Sequence, residues 1–187
     1  MQSPYSFLVK PVNDRRYDNV SKMGDVDFLI STSEEDHVAS NRFAEVLNVP
    51  IGYTGEVKIG DTMLVHHNVF KFYNDMKGVQ KSGKSFFKDN LFLIDPDQFF
   101  LYGRDGEWYG YDKYCFIKPS PVKAYMLNKS GQEEPLFGTI KYINKQLEDL
   151  GLKVGDEISY IPESEYAFNV DGEKLYRMYT SSIALKL

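Results

Sequence analysis

Short apolar runs separated by turns bearing Gly, Asp and Pro mark the whole chain, and their period is that of strands rather than helices. The pattern is cleanest over residues 151–187. Lys153-Val154-Gly155-Asp156 reads as a tight turn and residues 157–160 as a strand. Val170-Asp171-Gly172-Glu173 is a second turn, residues 174–179 a returning strand, and Ile183-Ala184-Leu185 a closing apolar segment. Upstream, the same reasoning predicts strands over residues 5–11, 42–49, 62–70, 91–94, 98–102 and 113–121. Pro11 ends the first of them, because proline donates nothing to a ladder. Residues 74–83 are polar and turn-rich and predict an exposed hairpin or loop. Residues 103–110, with three glycines and the single Trp108, are the candidate linker.

The two halves repeat each other. Phe7-Leu8-Val9-Lys10-Pro11 matches Cys115-Phe116-Ile117-Lys118-Pro119, and Arg42-Phe43-Ala44-Glu45-Val46 matches Leu136-Phe137-Gly138-Thr139-Ile140. Lys58-Ile59-Gly60-Asp61 matches Lys153-Val154-Gly155-Asp156, and Phe99-Phe100-Leu101 matches Ile183-Ala184-Leu185. The common order predicts a tandem duplication. Lys10 to Phe43 spans 33 residues against 19 from Lys118 to Phe137, an excess of 14 in the first copy. Gly60 to Phe99 spans 39 against 28 from Gly155 to Ile183, an excess of 11 around residues 74–83. Insertions accumulate in surface loops, so both excess segments are expected to be exposed.

Composition narrows the function. A net charge of −5 with scattered Lys and Arg argues against a nucleic-acid binder. Asp14-Arg15-Arg16 reads as a solvated loop. Cys115 stands alone in an apolar run, which predicts a buried inert thiol and rules out an intramolecular disulfide. His66-His67 suggests a metal, but neighbours on a strand face opposite ways, so no metal is expected there. Gly78-x4-Gly83-Lys84-Ser85 fits a phosphate-loop pattern formally. A true one opens a helix, and the residues that follow read as strand. No run reaches the roughly 20 apolar residues of a membrane span. The N-terminal residues lack a signal-peptide pattern. A cytoplasmic, membrane-free protein is expected.

Phe28-Leu29-Ile30 forms an apolar island among Asp25, Asp27 and Glu34-Glu35-Asp36. It reads either as a short buried strand or capped helix start, or as an exposed binding element.

The ordered set of motifs, found twice, resembles the GroES co-chaperonin family in two divergent tandem copies. The second copy follows the family pattern through residues 113–187: a first strand ending in Lys118-Pro119, then Gly138-Thr139-Ile140, Lys153-Val154-Gly155-Asp156, Asp171-Gly172-Glu173 and Ser182-Ile183-Ala184-Leu185. The first copy resembles it through residues 4–102. The resemblance implies an all-β chain of two irregular GroES-like β-barrels. Residues 1–103 would carry a long mobile loop (18–41) and an extra hairpin (74–84), and residues 111–187 a short loop. It also implies that the loop's apolar tripeptide, here Phe28, Leu29 and Ile30 after Gly24, docks into a GroEL-like chaperonin ring. Docking would order the loop, an entropic cost offset by burying three apolar side chains.

The function expected from this resemblance is a co-chaperonin that caps a chaperonin ring and assists ATP-dependent protein folding. It would act as a homo-oligomer without catalysis, cofactor or metal. Usage of Lys, Asn, Tyr and Phe leans towards a viral source, which would place the protein in the host cytoplasm. The alternative is a non-enzymatic structural or assembly protein, such as a capsid-associated one, that reuses the barrel. GroES-like barrels also occur in zinc-dependent dehydrogenases, but no Gly-x-Gly-x-x-Gly turn is present, so an enzyme is not expected.

Overall fold

Burial follows the apolar pattern: it alternates along residues 43–47, 91–94, 157–160 and 167–170, and is continuous along 7–9, 99–103 and 114–117. The computed structural model describes residues 1–17, 20–23, 26–29, 41–122 and 133–187, with backbone alone for 20–23 and 26–29. The chain divides into two units, Met1–Glu107 and Trp108–Leu187. The first holds β1 (Phe7–Pro11), β2 (Val20–Met23), β3 (Val26–Leu29), β4 (Phe43–Asn48), β5 (Thr62–Val65), β6 (Phe72–Asn74), β7 (Gln80–Ser82), β8 (Phe86–Lys88), β9 (Leu91–Ile94) and β10 (Phe99–Arg104). β11 (Glu107–Gly110) begins at the boundary. The second holds β12 (Tyr114–Pro121), β13 (Glu133–Tyr142), the one-turn helix α1 (Lys145–Asp149), β14 (Glu157–Tyr160), β15 (Tyr166–Val170), β16 (Glu173–Tyr179) and β17 (Ile183–Lys186). The chain is all-β, and its pairings are antiparallel.

Six strands of the first unit bond in the order β10-β5-β4-β1-β9-β8, and those of the second in the order β17-β14-β13-β12-β16-β15. Ranked along the chain, both orders put the sixth strand first, then the third, second, first, fifth and fourth. The register repeats as well. Val9 faces Val46 and Pro11 faces Ala44, as Ile117 faces Ile140 and Pro119 faces Gly138. Both first strands shift register at the same place, Leu8/Val9 in one and Phe116/Ile117 in the other. Among the described residues, two hairpins belong to the first unit alone, β2–β3 between its first and second sheet strands and β6–β7 between its third and fourth. Among the described residues no pairing closes either sheet into a barrel.

Type I′ geometry makes several of the turns, because two successive positive φ values match the strand twist. Asp89 and Asn90 (φ 46° and 61°) join β8 to β9, and Asp171 and Gly172 (52° and 79°) join β15 to β16. Asp105 and Gly106 (53° and 84°) join β10 to β11. The boundary between the two units falls within residues 103–110, expected as the linker, and that segment is itself mostly strand. The strand expected over 62–70 also stops early, at Val65, where His66-His67-Asn68 turns the chain. Helix α1 escaped the strand pattern. It is started by Asn144, whose side chain accepts the Leu147 N–H at 3.0 Å.

The first core gathers Phe7, Val9, Val46, Met63, Phe92 and Phe99, all fully buried. Phe7 meets Phe99 edge-on at 5.3 Å, and Phe70 meets Phe92 at 4.7 Å, the edge-to-face geometry aromatic quadrupoles favour. The second core gathers Cys115, Ile117, Ile140, Leu147, Ile158 and Met178. Each fully buried large side chain of this kind contributes about 1.5–3 kcal/mol.

Candidate functional site

The first unit's two extra hairpins spring from one place. Asn41, 3% exposed, closes the long excursion that separates β1 from β4. Its Nδ2 donates to Val12 O (3.1 Å) and Arg15 O (2.7 Å), and its Oδ1 accepts the Phe43 N–H at 2.8 Å. Asn41 N donates to Arg16 O at 3.0 Å. Outgoing and returning chains are therefore stitched together at the root, so the excursion leaves and rejoins the sheet at a single point.

Arg16 and Tyr17, the last described residues before that excursion, grip the base of the β6–β7 hairpin. Arg16 Nε donates to Phe70 O (2.8 Å) and Nη1 to Ser82 Oγ (3.1 Å). Its guanidinium lies 3.4 Å from the centre of the Phe72 ring, a cation–π contact. Tyr17 stacks on Phe72 at 6.1 Å, and its hydroxyl accepts the Phe72 N–H at 2.8 Å. The solvated loop expected around Arg15-Arg16 is thus corrected for Arg16, which is half-buried against aromatic rings. No local signal separates it from Arg15; its partners lie some 54 to 66 residues away.

Asp75 closes the tip of the β6–β7 hairpin. Asp75 Oδ1 accepts the N–H groups of Lys77 (2.9 Å) and Val79 (3.0 Å), and Oδ2 pairs with Lys81 at 2.9 Å. Lys81 first, then the Val79 and Lys77 amides, hold the Asp75 carboxyl below its ordinary value. Gly78, at φ 75°, turns where a side chain would be strained. The tip leaves Tyr73, Met76 and Val79 exposed.

Of the three residues expected to dock, Phe28 and Leu29 lie on β3, in register with Ser21 and Val20 of β2. Ile30 lies outside the described residues, as do 18–19, 24–25 and 31–40 of the loop, and 123–132 of the short loop in the second copy.

The argument against a His66-His67 metal rested on a strand that is absent there: the two rings pack 4.1 Å apart in a turn. Among the described residues, no three or more His, Cys, Asp or Glu gather as metal ligands. Cys115 is fully buried, 3.7 Å from Met178 O, and burial pushes its thiol up to about 12. Among the described residues no helix is long and apolar enough to cross a membrane. No family model matches the chain, and no curated protein matches it.

Proposed function

We propose that the chain is a co-chaperonin built from two GroES-like irregular barrels, which caps a chaperonin ring through the 18–41 excursion of its first unit. The observation that carries this reading is the duplicated strand order with a long excursion between the first and second sheet strands in one copy only. A loop rooted at one clamped point can engage a partner without disturbing the sheet that carries it. Phe28, Leu29 and Ile30 are the docking residues, the chaperonin supplies the ATP hydrolysis, and assembly into a homo-oligomer adds avidity through several loops.

The test is capture of the full chain by a purified GroEL-like ring with ATP. Changing Phe28, Leu29 and Ile30 together to Ser is expected to abolish capture and leave the thermal midpoint of the isolated chain unchanged. Undiminished capture overturns the assignment of these residues, and failure of the unaltered chain to be captured overturns the function. A large drop in midpoint places the three residues in a core instead, since truncating a buried Leu or Phe costs about 2–5 kcal/mol.

A further inference from the structure

Beside the β6–β7 hairpin lies an open cavity of about 850 Å³, wholly within the first unit. This volume suits a nucleotide-sized ligand. Lys71 and Lys84 stand on its wall, and among the described residues no ion pair occupies either. Asp97 is the one carboxylate among its lining residues.

Two hydroxyls of the wall are set as donors. Ser82 Oγ accepts from Arg16 Nη1 at 3.1 Å, and Ser85 Oγ accepts from Gln98 Nε2 at 3.2 Å. Guanidinium and amide N–H groups only donate, so each hydroxyl keeps its own hydrogen to give. The Gln98 amide cannot reverse that sense without losing a bond, because its Oε1 accepts the Asp95 N–H at 2.9 Å. Ser85 is 5% exposed, so its hydroxyl hydrogen has little bulk water to serve. Two lysines and two donor-set serines lining one cavity suit an anion with many acceptor oxygens.

We propose that this cavity binds a small oligophosphate, either free or as the tail of a nucleoside triphosphate. The Gly83-Lys84-Ser85 segment contributes both a cation and a hydroxyl to the wall, although it runs into the strand β8 and not into a helix. The site therefore works by side-chain donors and charge rather than by a helix-terminal phosphate cradle. It does not depend on the chaperonin reading.

Calorimetric titration of the full chain with tripolyphosphate, ATP and AMP tests the proposal. Tripolyphosphate is expected to bind at low salt. Lys71→Gln and Lys84→Gln are each expected to weaken it about tenfold, the scale of one charged hydrogen bond. Asp97→Asn, which removes the opposing carboxylate from an exposed position, is expected to tighten it. ATP binding more tightly than tripolyphosphate assigns the site to a nucleotide; equal affinities assign it to the oligophosphate alone. AMP is expected to bind more weakly than either. Absence of binding by tripolyphosphate and ATP at millimolar concentration overturns the proposal, as does undiminished binding by the double lysine variant with its thermal midpoint intact.

Discussion

Asp61 and Asp156 close the same turn with the same bonds in the two units. Asp61 Oδ2 accepts the Lys58 N–H at 2.7 Å, and Asp156 Oδ2 accepts the Lys153 N–H at 2.8 Å. Their carbonyls accept the N–H groups of Val46 (2.9 Å) and Ile140 (3.0 Å), and the glycines before them, at φ 90° and 92°, donate back to the same two residues. Each carboxylate also meets a cation from the last sheet strand, Arg104 in one case and Lys186 in the other. Five positions of matching chemistry thus repeat with matching hydrogen bonds, a likeness much deeper than the shared letters Gly-Asp.

The two aspartates differ in what surrounds them. Asp61 is 3% exposed and held by two guanidinium bonds, Arg104 Nε at 2.7 Å and Nη2 at 2.6 Å. Asp61→Ala leaves the Lys58 amide and the guanidinium short of their acceptor, and is expected to cost about 2–3 kcal/mol in urea unfolding. Asp156→Ala, at a more exposed pair, is expected to cost distinctly less.

Acid should unfold the second unit more readily than neutral pH, and the sign follows from its carboxylates. Glu133 is held below its ordinary 4.5 by Lys174 and then Tyr176, and Glu173 by Lys118 and then Lys141. Asp156 is held below 3.8 by Lys186 and then the Lys153 amide. Groups whose folded values are depressed contribute stability above the unfolded value and lose it as pH falls through the folded one. Stability is expected to be level from neutrality to about pH 5 and to decline below 4.5. Glu173→Gln is expected to flatten the decline, read as thermal midpoint against pH.

Tyr17→Phe keeps the ring on Phe72 and removes the acceptor of its N–H. Hydrogen exchange at the Phe72 amide is expected to accelerate, with a global cost of about 1 kcal/mol. Unchanged exchange at that amide would show that the hairpin is held without the Tyr17 hydroxyl.

Cys115 is expected to resist a thiol reagent at pH 8 in the native chain and to react fully in denaturant. The thiolate is the reactive form, and burial moves its formation to about pH 12. Rapid native labelling would require the β12–β16 pairing to open.

Strand identity and the duplication were legible in the sequence because they rest on local physics. Side chains alternate across a strand, Asp-Gly and Asp-Asn favour positive φ, and proline withholds its donor, whatever the rest of the chain does. The equivalence of Asp61 and Asp156 could be read from Lys-x-Gly-Asp alone. Contacts between distant segments could not. Arg16 looked like its neighbour Arg15 until the fold set Phe72 3.4 Å from it. His66 and His67 were read as opposed until the strand ended one residue before them. Gly138 matched Ala44 in the repeat, with nothing in the sequence to say why a glycine stands there. In the folded chain a Cβ at that position would sit 2.4 Å from Ile117 Cγ2 and 2.7 Å from Lys118 O. Each of these depends on which strand lies beside which, and strand order is settled by burial summed over a whole unit, a quantity no window of neighbouring residues contains.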